Sequence, residues 1–149
     1  MASIRLRYKW LLASLLILFC TLENYAQIVE IEITGIRSEK GQIVILVYKD
    51  NQSFRKEQPF QMKTFPKREI NEGMMTVEMA LEEGIYGLGL IDDENGNSKM
   101  DYKMVRLTKE GFAFSNFYLS GLKRPGFDDF KFVVKKDQKQ QVTMKIRYM

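Results

Sequence analysis

Hydrophobic and polar residues alternate along several short stretches of this chain. Residues 29–34, 75–79 and 142–148 alternate apolar with polar side chains, and in residues 86–90 glycine takes the alternate position. A period of two is typical of a strand with one buried face. Residues 43–48 form a continuous apolar run, as in a central strand buried on both faces. The pattern therefore predicts five strands.

Turn-forming residues separate these stretches. Residues 35–41 and 81–84 are rich in turn signals, and residues 54–57 predict one short helical turn. Residues 130–134 predict a further strand. Six or seven short strands without a convincing amphipathic helix predict an all-β fold, an immunoglobulin- or transthyretin-like β-sandwich of about seven strands. A closed barrel is the alternative architecture.

The N-terminal residues have the three parts of a secretory signal. Three basic residues between positions 5 and 9 precede an apolar run over residues 10–20, and Ala26 offers a cleavage point. The apolar run is shorter than the roughly 20 residues that a membrane-spanning helix needs. We predict a signal peptide over residues 1–26 and one β-sandwich domain over residues 27–149. The protein is then exported in a bacterium, to the periplasm, the outer surface or the medium, with no integral membrane span after cleavage.

The composition of residues 27–149 excludes several kinds of chemistry. This part of the sequence has no Cys and no His. Disulfides, thiol nucleophiles, thiolate metal sites and a Ser-His-Asp triad are therefore excluded from it. Loss of three basic residues and Glu23 with the signal peptide lowers the formal net charge from +4 to +2. So weak a positive excess predicts no nucleic-acid binding.

The segment Asp92–Asp101 holds the most distinctive chemistry of the chain. It combines four carboxylates with two side-chain amides, directly after a predicted strand. Calcium loops place oxygen ligands at alternate residues. With Asp93 at the first position of such a loop, the ligand positions hold Asp93, Asn95, Asn97 and Asp101, and Lys99 offers its backbone carbonyl. We therefore predict a possible Ca²⁺ site at these residues.

Two positions of the loop depart from the calcium pattern. Ser98 occupies the sixth position, where Gly is usual, and Met104 occupies the twelfth, where a bidentate Glu is usual. The missing carboxylate would have to come from Glu110, Asp128 or Asp129. Two other interpretations stay open. The loop can be an Asx-rich turn without any ion, or its carboxylates can take part in catalysis.

Residues 109–116 form a second candidate surface. Phe112 and Phe114 could be presented to a ligand together with Asn116, or they could pack inside the domain. Residues two apart on a strand face the same side. We therefore expect both aromatic side chains to enter the core.

Several motifs in a fixed order resemble the DUF2141 family of exported bacterial proteins of unknown function. These motifs are Gly84-Ile85-Tyr86, the loop over residues 93–101, residues 109–116 and residues 125–129. The resemblance implies an exported β-sandwich and brings no established activity. The chain departs from the family pattern at Asp92, where His is frequent, at Ser98, where a second Gly is frequent, and at residues 106–108, where Gly-Ile-Pro is usual.

These observations together favour a non-enzymatic role. We expect an envelope or extracellular binding module with a protein or glycan partner, and a structural Ca²⁺ as its only candidate cofactor. The alternative is a carbohydrate- or lipid-active envelope enzyme that depends on carboxylates. A cleft that brings Asp101, Glu110 and Asp128 together would favour the enzyme.

Overall fold

The computed structural model describes residues 26–68, 70–104 and 107–149. Except for Ala26, the predicted signal peptide lies outside the described residues. The regular secondary structure of the described residues is almost entirely β, with ten strands and two short helices. The strands are β1 (Gln27–Thr34), β2 (Gln42–Tyr48), β3 (Gln61–Pro66), β4 (Met74–Leu81), β5 (Gly84–Asp93), β6 (Tyr102–Met104), β7 (Leu107–Thr108), β8 (Gly111–Phe114), β9 (Lys131–Val134) and β10 (Gln140–Lys145). The helices are α1 (Asn51–Arg55) and α2 (Phe127–Phe130).

Eight of these strands form two sheets that pack face to face. The first sheet has the order β10-β1-β4, in which β1 runs parallel to β10 and antiparallel to β4. The second has the order β3-β2-β5-β8, and β9 also pairs with β5. Strands β6 and β7 form a separate ribbon. Neither sheet closes on itself within the described residues, so the predicted β-sandwich is confirmed.

Two strands of the second sheet were not expected from the hydrophobic pattern. Strand β3 lies at the edge of its sheet and is exposed or half-exposed along its whole length. An edge strand tolerates polar side chains on both faces and a proline such as Pro66, so it carries no alternation to detect. Strand β8 has only four residues, too few for a clear period. The predicted strand over residues 130–134 begins one residue later, after α2.

The alternating apolar residues of both sheets meet in one core between the sheets. Strand β1 contributes Val29, Ile31 and Ile33, none of which is exposed to solvent. Strand β5 contributes Tyr86, Leu88 and Leu90 from the opposite sheet. The remaining completely buried aliphatic or Met members are Ile43, Ile45, Val47, Val134, Val142 and Met144. Burial of this apolar surface is the main favourable contribution to the stability of the domain.

The outer face of the five-stranded sheet carries a second apolar cluster, in which Tyr48 packs with three phenylalanines. Those phenylalanines are Phe54 on α1 and Phe127 and Phe130 on α2. The rings of Phe54 and Phe130 meet edge to face, with 4.8 Å between their centroids. Gly87 on β5 makes room for this packing. A Cβ there would lie 2.5 Å from the Phe130 ring and 2.9 Å from the Phe127 ring.

None of the helices among the described residues has the length and apolar character needed to cross a bilayer.

We expect Gly87→Ala to lower the free energy of unfolding by about 1–3 kcal/mol, because its methyl group would overlap buried aromatic rings. Gly89→Ala is the matched control on the same face of β5. Its Cβ would meet the nearest atom, on Tyr48, at 3.5 Å, which is an ordinary contact. Urea unfolding of both variants checks the prediction. Equal destabilisation by the two substitutions would contradict it.

Candidate cation site

The two aspartates that end β5 point to opposite faces of the sheet. Asp92 continues the series of Leu88 and Leu90 toward the first sheet, whereas Asp93 lies on the outer face. Both residues are completely buried. A buried carboxylate is stable only when charges or hydrogen-bond donors compensate the loss of water. The structure compensates the two carboxylates in different ways.

The Asp93 carboxylate is surrounded by four N–H donors. Its Oδ1 accepts hydrogen bonds from the backbone N–H groups of Gly96 at 2.8 Å and Asn97 at 3.1 Å. Its Oδ2 accepts from the backbone N–H of Ser98 at 2.7 Å and from Nε2 of Gln42 at 2.6 Å. Burial acts to raise the pKa of Asp93, but these donors outweigh it and hold the pKa below its ordinary value. Asp93 is therefore the anion around which the loop folds.

Ser98 adopts a strained backbone conformation so that the loop can close around Asp93. Its φ is +59°, in the left-handed region that favours glycine. Its side-chain Oγ also accepts a hydrogen bond from Nε2 of Gln42 at 3.0 Å. A Gly at this position would adopt the same conformation without strain. Ser98 adds a hydrogen bond in return.

Asp101 binds the other end of the loop. Its Oδ2 accepts hydrogen bonds from Nδ2 of Asn95 at 2.6 Å and Nδ2 of Asn97 at 3.0 Å. Its carbonyl accepts from the backbone N–H of Lys109 at 2.8 Å. The structure therefore brings together the four predicted ligand residues, with Asp93 and Asp101 as the two centres to which the loop's donors point.

Glu110 is the third carboxylate of this cluster. It is 3% exposed, and its Oε2 accepts a hydrogen bond from the backbone N–H of Asp101 at 3.2 Å. Its Oε1 is buried and has no hydrogen-bond partner among the described residues. Burial raises the pKa of Glu110, and the nearby Asp93 and Asp101 charges raise it further against the effect of the Asp101 N–H. When ionised, Glu110 can only accept hydrogen bonds. When protonated, it can share its proton with Asp93.

The other two residues considered for the missing carboxylate lie elsewhere. Asp128 pairs with Nζ of Lys131 at 2.6 Å, and Asp129 accepts a hydrogen bond from the backbone N–H of Gly126 at 2.8 Å. Both belong to α2. Of the three candidates, only Glu110 contacts the loop among the described residues.

The loop conformation itself is that of an Asx-rich turn. Among the described residues, no group of three or more Asp, Glu, Cys or His side chains is arranged so that it could hold a metal ion. The amides of Asn95 and Asn97 turn their Nδ2 groups toward Asp101, while their Oδ1 atoms accept backbone N–H groups two residues later. A half-turn of each amide would exchange nitrogen for oxygen at Asp101.

Asp92 is compensated by a cation that the sequence did not bring to attention. The ammonium of Lys67 pairs with Oδ1 of Asp92, and both side chains are completely buried. Lys67 also donates a hydrogen bond to the carbonyl of Ser38 at 2.8 Å, and the hydroxyl of Tyr148 donates to Oδ2 of Asp92. Burial, together with the bond to Asp92, raises the pKa of Tyr148 well above its ordinary range.

Arg37 covers this buried pair from the solvent side. Its guanidinium binds both carboxylate oxygens of Glu94, at 2.8 and 2.9 Å, and stacks on the Tyr148 ring at 4.1 Å. The Arg37 hydrogen bond holds the pKa of Glu94 below its ordinary value. The first residues of the acidic loop are therefore anchored to the sandwich by an ion pair that the loop pattern alone did not suggest.

A signal for Lys67 does exist in the sequence. The alternation of β5 places Asp92 on the buried face, so a buried cation or several donors had to be present. The pattern could not identify which residue provides the cation. Lys67 follows Pro66 in a polar connection that has no hydrophobic periodicity.

Phe112 and Phe114 share one side of β8, as expected, but that side is not the core between the sheets. Ala113 enters that core, while Phe114 packs against the outer aromatic cluster. The prediction that both rings enter the core between the sheets is therefore wrong. Three alternating residues do not show on which face they pack when both faces of the sheet are covered.

Comparison with known proteins identifies one family. The model of the DUF2141 family, described as an uncharacterized protein conserved in bacteria, matches residues 31–143. The match includes the acidic loop, Glu110 and Lys67. No curated protein and no solved structure matches the chain.

Lys67→Met should lower the free energy of unfolding by about 3–5 kcal/mol, because it leaves the buried Asp92 charge without its partner. The double variant Lys67→Met/Asp92→Asn should recover part of this loss. The amide that replaces the Asp92 carboxylate is neutral, and it can still accept a hydrogen bond from the Tyr148 hydroxyl. Urea unfolding of Lys67→Met, Asp92→Asn and the double variant measures the difference. A double variant as unstable as the sum of its single substitutions would contradict this description of the pair.

Glu110→Gln should stabilise the metal-free protein at neutral pH. The folded-state pKa of Glu110 is raised above its ordinary value of 4.5, so its contribution to stability is present below that value and is lost as pH rises through the folded pKa. The variant has no such loss. Unfolding with a chelator between pH 4 and pH 8 should show an advantage that grows with pH, whereas exposed Glu82→Gln should show none. A constant difference across this range would refute the prediction.

Proposed function

We propose that this chain, which belongs to the DUF2141 family of bacterial proteins, is an exported binding module of the cell envelope with a structural Ca²⁺ site in its acidic loop. The ligands are Asp93, Asn95, Asn97 and Asp101, and Glu110 supplies the carboxylate that the loop lacks. Export rests on the signal-like pattern of residues 1–26.

The observation that carries the cation site is the buried Oε1 of Glu110, which has no hydrogen-bond partner within the described parts of the chain. Leaving a buried charged oxygen without a donor costs more than a typical hydrogen bond contributes. Asp93 and Asp101 add negative charge beside it. A cation would satisfy the free oxygen and remove the repulsion among the three carboxylates.

The chemistry of the cluster favours Ca²⁺ over softer metals. All of its side-chain donors are carboxylate or amide oxygens, which hard cations prefer. Zinc and copper sites generally use His or Cys, and neither occurs in residues 27–149. In the described residues the three carboxylates are not arranged around an ion, and donors occupy both oxygens of Asp93. Some of these donors, and the Nδ2 groups that face Asp101, would have to move away as the ion enters, so we expect a site of modest affinity.

The proposed role of the ion is structural. Asp93 accepts four hydrogen bonds and Asp101 accepts two at its Oδ2, so both carboxylates already act as fixed points of the loop. Asp128 lies on α2 beside Lys131, so the three carboxylates of the enzyme hypothesis are not assembled in one cleft. A binding module is therefore the better-supported function.

Calcium should raise the unfolding temperature of the protein. Binding to the folded state alone stabilises it by about 2.7 kcal/mol when the free ion is at 100 times its dissociation constant. Extracellular modules bind Ca²⁺ as weakly as roughly 0.1–1 mM. Isothermal titration calorimetry and thermal unfolding should therefore show saturable binding in the millimolar range. Glu110→Gln and Asp101→Asn should abolish or strongly weaken it.

Asp128→Asn is the matched control, because it removes an exposed carboxylate at a distance from the loop. It should bind Ca²⁺ like the unaltered protein. Absence of both heat and thermal shift at millimolar Ca²⁺ would overturn the cation site. Binding that survives Glu110→Gln would show that the ion does not use the proposed closing ligand.

A further inference from the structure

An apolar groove lies along the outer face of the five-stranded sheet. Its volume is about 870 Å³, within the range of small-molecule sites. The side chains of Leu46, Ile91, Phe112 and Phe114 face it from three neighbouring strands. The groove therefore offers an apolar surface that the two-sheet core does not use.

Gly89 forms a bare part of the groove floor. It lies two residues from Gly87 on the same face of β5. The rings of α2 cover Gly87 closely, but nothing approaches a Cβ at Gly89 nearer than Tyr48 at 3.5 Å. The groove begins where this aromatic cover ends, and it has room at its floor for the chain of a ligand.

The rim of the groove is apolar and carries an excess of positive charge. Leu122 is 75% exposed and Met62 is 53% exposed, and both side chains line the groove. Arg124 uses its charge in a pair with Glu57 at 2.9 Å. Lys99 and Lys123 also line the groove, and neither forms a salt bridge within the described part of the chain. Two cations therefore remain for a ligand.

We infer that the groove binds the alkyl chain of an anionic amphiphile, such as a fatty acid, with its head group at Lys99 or Lys123. The apolar floor matches a hydrocarbon chain, and either ammonium group matches a carboxylate. This inference deepens the proposed binding function by naming its ligand class.

The same surface argues against the glycan partner that was considered from sequence. Sugar hydroxyl groups need polar partners when they lose water. The floor of the groove offers mainly aliphatic and aromatic carbon atoms. A hydrocarbon chain makes no such demand.

The groove also adjoins the proposed cation site. Ser98, Lys99 and Met100 belong to the acidic loop and line one side of the groove. Ordering of the loop by a cation would hold this side in place. Calcium and amphiphile should therefore occupy separate sites. Calcium should leave the affinity for the amphiphile unchanged or increase it.

Calorimetric titration of the full-length protein with dodecanoate, below its micelle concentration, tests the inference. Dodecanoate should bind at least about tenfold more tightly than dodecyltrimethylammonium, which has the same chain and the opposite charge. Butyrate should not bind detectably, because it keeps the carboxylate and lacks most of the apolar chain. Equal affinity for the two long-chain probes, or no dodecanoate binding, would overturn the inference.

Two sets of variants locate the binding. Gly89→Leu should weaken dodecanoate binding by about tenfold or more by filling the floor, while Gly89→Ala should change it little. Lys99→Glu/Lys123→Glu alters only exposed side chains and should remove the preference for the anionic probe. Unchanged binding in the lysine variant, or in a correctly folded Gly89→Leu variant, would place the ligand elsewhere and refute the site.

The outcomes separate this inference from the proposed cation site. A protein that binds Ca²⁺ but not dodecanoate retains the cation site and loses the amphiphile. A protein that binds dodecanoate without any response to Ca²⁺ retains the amphiphile site and loses the cation site. Sedimentation as a dimer without dodecanoate binding would show that a second copy covers the groove, and would refute the inference.

Discussion

Burial of β5 on both faces is the constraint on which the rest of the structure depends. From Tyr86 to Asp93 every residue of this strand is buried, so successive side chains enter two different interiors. The strand nevertheless ends in two carboxylates. Each must be compensated on its own side of the sheet, and the two compensations create the two polar features of the domain. Lys67 and Tyr148 meet Asp92 on one side, and the acidic loop folds around Asp93 on the other.

The outer face of the five-stranded sheet consequently carries both the proposed cation site and the proposed amphiphile groove. At one end stand Asp93 and Glu110 with the loop, and at the other stand the aromatic rings of α1 and α2. The groove lies between them. The same β-strand alternation that fills the core with Leu88 and Leu90 sets Gly89 and Ile91 on this opposite face. Alternate residues of β5 thus supply the core on one face of the sheet and the floor of the groove on the other.

The sequence alone was sufficient to predict the fold class, most of the strands and the residues that form the acidic loop. Those features depend on local periodicity and on the spacing of neighbouring residues. It was insufficient to predict that Lys67 pairs with Asp92, or that Glu110 rather than Asp128 lies next to the acidic loop. Both facts depend on which strands become neighbours. The register of β5 with β8 brings Glu110 beside Asp93, and no local signal carries that information. The face served by Phe112 and Phe114 was misjudged for a similar reason, since the second apolar cluster arises only when two short helices cover the sheet.

The parallel pairing of β1 with β10 has a consequence for the order of events during synthesis. Val29 on the first strand is matched with Gln140 on the last, so the three-stranded sheet lacks one edge until nearly the whole domain has been made. Contacts of such long sequence separation slow folding, because the chain entropy must be lost before the pairing can stabilise anything. A nascent chain with this topology stays open for longer than one built from adjacent hairpins. Such delay would suit a polypeptide that has to be threaded through a narrow translocation channel before it folds.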